Sequence, residues 1–195
     1  MVGRNGENLP ISKSRILSVA RMRFETVGYK RTSIAQIAQE AGVAVGTVYR
    51  YFKSKEDVLV AVLEQTNEAW LEKARETARA PGTALERIMR LAEASVVHNR
   101  DNALLNAIWN RDTEFILAPL LDDLYEWVHK QNLALVAEMI RDGVREGTLR
   151  DTDPDKTAYI LFLFGRSLFD QKDLPYSELV PTMLDIILDG VRKSS

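Results

Sequence analysis

The sequence predicts an all-α protein in two parts, a short basic N-terminal head and a longer acidic body. Three observations predict it. Apolar residues recur at three- and four-residue spacing along most of the chain, and no strand-period segment with hairpin turn chemistry and no internal repeat interrupts them. Capping boxes, glycines and prolines punctuate that pattern where helices should start and stop. The charge is also segregated. Residues 1–60 carry ten Lys/Arg against five Asp/Glu, whereas the other 135 carry sixteen against twenty-three, so a total of −2 conceals +5 and −7. Such a head could meet a polyanion, and such a body would not.

Composition excludes several classes of function. A chain of 195 residues can bury a substantial core, and 46% hydrophobic with 28% charged residues is a globular balance rather than a disordered one. The absence of Cys removes disulfides, thiolate zinc sites and thiol catalysis, and fits a cytoplasmic location. The longest runs without charge are nine residues, such as 41–49 and 157–165, against about 20 for a membrane-spanning helix. The opening MVGRNGENLP lacks the apolar stretch of a signal peptide and reads as a polar arm. Enzyme readings fare badly. His98 and His129, the two histidines, stand 31 positions apart, and no P-loop, G-x-S-x-G or G-x-G-x-x-G occurs. The sequence therefore leads us to expect no catalytic residue, no cofactor and no metal site.

Taken in order, Ile16, Ala20, Phe24 and Val27 define the first helix, with Gly28 to end it. Ser33-Ile34-Ala35-Gln36 is a capping box, followed by a short helix with Ile34, Ile37, Ala38 and Ala41 inward. Gly42 breaks it, and a second short helix runs from Val45 to Phe52 on the single inward anchor Val48. Ser54 caps a long helix carrying Val58, Leu59, Val62, Leu63, Trp70 and Leu71, which Pro81-Gly82 terminates. Thr83 to Glu86 forms another capping box before Leu85, Ile88, Met89, Ala92 and Val96. A helix is expected over 102–111, an interruption at Pro119, and a long helix over 121–146 closed by Gly147. Asp153-Pro154 is an N-cap with Pro at the first helical position, and a last helix is expected over 178–192.

The helix that begins at Pro154 breaks the amphipathic rule. From Ala158 to Phe164 it is apolar on every side, so it must be covered all round, yet it is too short for lipid. A central helix of its own domain would look similar. The preferred reading packs one side inward and sets the other against a second copy of the chain, giving a homodimer through helices 154–171 and 178–192.

Two short helices joined by a tight Gly turn are a helix-turn-helix candidate, with small Ala38 allowing close approach. The surrounding stretch from Phe24 to Asp57 contains F-x-x-x-G-Y, T-S-I-A-Q-I-A, A-G-V-A-V-G-T-V-Y-R-Y-F and K-S-K-E. It resembles the DNA-binding domain of the TetR family of transcriptional repressors over about 45 residues. The resemblance implies a three-helix DNA-binding domain over 1–54 and an effector-binding and dimerisation domain over 55–195. It also implies a dimer that grips a palindromic double-stranded operator until an unidentified small molecule releases it. An alternative is a helical interaction dimer whose basic head meets an acidic protein, or a regulator that activates.

The family's pattern suggests roles for individual residues. Val45, Gly46 and Thr47 open the recognition helix, where methyls can meet thymine and the Thr47 hydroxyl a base or phosphate. Arg50 is the base-reading or phosphate candidate, Tyr49 and Tyr51 match positions whose hydroxyls reach phosphates, and Lys53 adds a nearby cation. Thr32 and Ser33 hold the start of the preceding helix against the other groove wall. Lys55 is a cation in a first helical turn, where the helix dipole opposes it, which suggests a phosphate partner. Ala44 departs from the family pattern by removing a hydroxyl cap worth about 1 kcal/mol. For the effector, Trp70, His98, Asn106, Trp109, Trp127 and Phe164 are candidate pocket residues, each of which could equally be core.

Overall fold

The computed structural model describes residues 8–102, 104, 105, 118–169, 179, 182, 186 and 190. These form seven helices and no strand: α1 Asn8–Thr26, α2 Ile34–Ala41, α3 Val45–Tyr51, α4 Lys55–Arg79, α5 Ala84–Arg100, α6 Ala118–Glu146 and α7 Pro154–Phe169. The chain divides into two compact units, one of Met1–Asn67 with Ala103–Leu124, the other of Glu68–Asn102 with Tyr125–Ser195. The division falls inside α4, because that helix contributes to two separate apolar cores.

The first core is built around α1, α2 and α3. Ile16, Leu17, Ala20 and Phe24 of α1 meet all four inward residues of α2 (Ile34, Ile37, Ala38 and Ala41), together with Val48, Phe52, Val58, Leu59, Val62 and Leu63. Leu104 belongs to the same core, with Leu105 packed against it. α1 stops at Thr26, and Gly28 follows with φ 94°, a left-handed turn that a side chain would strain. The Ser33 capping box forms as expected: the Gln36 amide donates to Ser33 Oγ at 3.3 Å, and the Ser33 amide donates to Gln36 Oε1 at 2.9 Å. At the far end Gly42 takes φ 65°, and the next amide, that of Val43, donates back to Ala38 O at 2.9 Å. α3 is held more lightly. Its single buried residue is Val48, whose burial is worth about 1.5–3 kcal/mol, and Ala44 before it makes no side-chain cap.

In the second unit, Trp70, Ala74, Ile88, Leu91, Ala137, Met139, Ile140, Leu149 and Ala158 form the core. The Thr83 capping box starts α5. Arg87 then ties α5 to the end of α6, donating to Glu146 Oε1 at 2.8 Å and to the Gly82 carbonyl at 2.6 Å. The Ala84 amide donates to the other Glu146 oxygen at 3.0 Å. A Cβ on Gly143 would lie 2.5 Å from Leu149 and 2.9 Å from Ala84, so only glycine lets these segments meet. Pro119 does not interrupt a helix. It sits in the first turn of α6, where no amide is required, and α6 therefore begins at Ala118 rather than near 121. Asp153 caps α7 through its Oδ1, which accepts from the Asp155 and Lys156 amides at 3.1 Å each. Most of the helix expected over 102–111 lies outside the described residues. So does most of 178–192, of which Leu179, Thr182, Ile186 and Gly190 are described and helical.

Candidate nucleic-acid interface

The outward side of α3 is unusual for a short helix. Val45 is 42% exposed and Tyr49 53% exposed, Arg50 and Lys53 are exposed, and Gly46 stands among them. A Cβ added to Gly46 would meet nothing within 4 Å, so no packing inside the protein requires glycine there. Glycine within a helix costs about 0.5–1 kcal/mol relative to Ala. Thr47 and Tyr51 are half-buried, and Tyr51 packs its ring toward Phe52 with centroids 6.2 Å apart. The Arg50 guanidinium lies 5.8 Å from the centre of the Tyr51 ring, which keeps it along the helix surface.

Thr32 and Ser33 take different positions. Ser33 is exposed at the start of α2, its hydroxyl accepting from the Gln36 amide. Thr32 is 1% exposed and its Oγ1 donates to the Gly28 carbonyl at 2.9 Å. Its side chain therefore holds the turn before α2 and does not face outward to a ligand, as the sequence reading had it.

Lys55 finds two acceptors within the protein itself. Lys55 Nζ donates to the carbonyls of Tyr29 and Thr32, both at 3.0 Å, and lies 4.2 Å from the centre of the Tyr29 ring. The Tyr29 hydroxyl donates to Glu56 Oε1 at 2.9 Å. Burial first, then this bond and the Glu56 charge, push the Tyr29 phenol well above its ordinary range. Glu56 moves the other way, held below the usual carboxylate range by its own backbone amide and then by the Tyr29 hydroxyl.

Among the effector candidates, two come together. Trp70 stacks on His98 with ring centroids 4.7 Å apart, and its Nε1 donates to Asn132 Oδ1 at 2.9 Å. Asn132 was not anticipated, since one amide in a long helix carries no sequence signal of what it faces. Trp127 and Phe164 present 38% and 49% of their surface outward, and Asn106 and Trp109 lie outside the described residues. His129, two residues from Trp127, meets the edge of Phe162 with centroids 4.1 Å apart. Among the described residues no group of three or more His, Cys, Asp or Glu could hold a metal ion, and no helix is long and apolar enough to cross a membrane.

The fold and this surface define a helical DNA-binding regulator of the helix-turn-helix class. The family described as "Bacterial regulatory proteins, tetR family" matches residues 16–62. The regulator YhgD of Bacillus subtilis, an HTH-type transcriptional regulator by name, is 26% identical over 159 residues, covering 81% of this chain and 83% of its own. A TetR/AcrR-family regulator from Thermobifida fusca superposes with TM-score 0.73 at 27% identity, over 93% of this chain and 98% of that one. FadR of Bacillus subtilis, solved in complex with stearoyl-CoA, has the same fold at TM-score 0.73 and 20% identity, over 92% and 99%. Residues 16–62 thus form a DNA-binding domain of the TetR-family type, and the chain as a whole resembles TetR-family transcriptional regulators.

Proposed function

We propose that this protein is a ligand-responsive repressor that binds a palindromic operator as a homodimer. The observation that carries the DNA reading is the outward side of α3, with an exposed Val45, an unpacked Gly46, an exposed Tyr49 and an exposed Arg50, followed by the exposed cation Lys53 just beyond the end of the helix. Packing within the chain requires neither glycine at position 46 nor the exposed Val45 and Tyr49. A major groove would use them all: Val45 and Thr47 against thymine methyls, Arg50 on a base edge or phosphate, Tyr49, Tyr51 and Lys53 on the backbone, and Ser33 at the start of α2 on the facing phosphates. On this reading the work divides near residue 54, with the segment before it gripping DNA and 55–195 dimerising and taking the effector.

The dimer reading is supported by α7. Thr157 and Ala158 are buried in the second unit, while Tyr159, Ile160, Leu163 and Phe164 are each 44–49% exposed on one helical face. Four large apolar side chains at that spacing call for a partner, and a second copy meeting them about a two-fold axis is the simplest one. The effector reading is supported by Trp70, His98 and Asn132, an aromatic stack with an amide beside it, and by a fold neighbour that holds stearoyl-CoA. Release follows if the effector favours a dimer whose two α3 helices no longer match the operator spacing.

The reading is tested by letting the purified protein select duplexes from a random pool and titrating the selected DNA by fluorescence anisotropy at several salt concentrations. A selected two-fold symmetric sequence, bound more tightly than random DNA and with a steep salt dependence, is the expected result. Equal affinity for selected and random duplexes would overturn it.

A further inference from the structure

The turn that delivers the chain from α1 to α2 is fastened from α4. Two of the three donor protons of the Lys55 ammonium go to the Tyr29 and Thr32 carbonyls, each at 3.0 Å, and the charge lies 4.2 Å from the centre of the Tyr29 ring. Glu56, the next residue of α4, accepts from the Tyr29 hydroxyl at 2.9 Å, so consecutive residues of one helical turn grasp Tyr29 by both its backbone and its side-chain tip. Thr32 closes the turn internally through Gly28, and the following residue, Ser33, is the N-cap of α2. Tyr29 is 4% exposed and Thr32 1% exposed, so the two carbonyl-bearing residues are packed in the first core rather than free to follow a moving cation. Two of the three ammonium protons of Lys55, and its approach to the Tyr29 ring face, are thus spent inside the protein.

We propose that Lys55 is a positioning residue for DNA binding: through the Tyr29 and Thr32 carbonyls it sets where the first turn of α2 stands, and it neutralises no phosphate itself. The proposal rests on the DNA-binding reading above. It makes a distinction that a salt titration can read. Removing a cation that contacts a phosphate lowers the slope of log K against log[salt] by about one, whereas removing a positioning cation weakens binding and leaves the slope as it was.

The experiment compares wild type with Lys55→Met on the duplex that the wild type selects from a random pool. Anisotropy gives the slope, thermal melts give the stability, and amide hydrogen exchange in the free protein covers residues 29–36. We expect at least tenfold weaker binding, an unchanged slope, and faster exchange at Ser33 to Gln36 before any DNA is added. A slope reduced by about one would overturn the proposal in favour of direct phosphate contact. A lower melting temperature with unchanged affinity would overturn it in favour of a purely structural lysine. If Lys55→Met does not fold, Lys55→Arg decides the matter, since it retains the charge but not the ammonium's seat between the carbonyls. Retained affinity in Lys55→Arg would overturn the proposal, and a loss accompanied by faster exchange at Ser33 to Gln36 in the free protein would support it. Failure of the wild type to bind DNA would overturn the DNA reading itself, and this proposal with it.

Discussion

At the scale of single residues, the proposed interface is marked by an exposed Val45 and Tyr49 and by a glycine that packing within the chain does not require. Gly46 is the clearest case, because α3 would be a better helix with Ala there and nothing within 4 Å stands in the way. Gly46→Ala is therefore expected to stabilise the free protein by about 0.5–1 kcal/mol in urea denaturation and at the same time to weaken binding to the selected duplex. A variant that gains stability and keeps full affinity would remove Gly46 from the interface. Lys55 illustrates the reverse. Its position against the helix dipole suggests an external anion, yet the compensating acceptors are carbonyls of a turn 23 and 26 residues earlier in the chain.

At the scale of elements, the capping residues determine which helices are firm. The boxes at Ser33 and Thr83 are complete, whereas α3 begins at Ala44 with an extended backbone, φ −69° and ψ 147°, and no side-chain bond. Ala44→Ser supplies the missing acceptor on a backbone already shaped for it, and should raise stability by about 1 kcal/mol, read as a higher urea midpoint at unchanged m. The junction of α5 with α6 carries a pH dependence. The Arg87 hydrogen bond, and then the Ala84 amide, hold the Glu146 carboxyl below the usual range. Because the folded value is depressed, the stabilisation is complete above the ordinary carboxylate range and is lost as the pH falls from there through the lower folded value. The melting temperature should thus drop between pH 6 and about pH 3 by less in Glu146→Gln than in wild type. Equal drops would show that this carboxylate is not linked to folding.

At the scale of the whole molecule, segregated charge and a half-covered α7 both point to an assembly larger than one chain. The first 60 residues carry the positive balance and the rest the negative one, which suits the proposed binding of a polyanion by the N-terminal segment. The exposed face of Tyr159, Ile160, Leu163 and Phe164 is where the proposed dimer would pair. Placing a charge in its middle with Leu163→Glu should convert a dimer to a monomer in light scattering coupled to size exclusion, with the secondary structure by circular dichroism intact. The same variant should bind the selected duplex far more weakly, since two heads no longer arrive together. A variant that remains dimeric would move the interface elsewhere.

The sequence by itself determined the helical class, the helix-turn-helix and nearly every cap, because these depend on interactions over three or four residues that a linear pattern displays in full. Gly28, Gly42, Ser33, Thr83 and Asp153 all perform the local tasks their positions imply. It also showed that α7 has apolar residues on too many sides. What only the tertiary structure decided involves contacts between residues far apart in the chain. Burial turned Thr32 inward, Trp70 found His98 and an unforeseen Asn132, and half of α4 joined the first core rather than the second. Lys55 belongs with these, since its two carbonyl acceptors stand 23 and 26 residues earlier in the chain, and spacing along the chain does not encode a 3.0 Å approach between them.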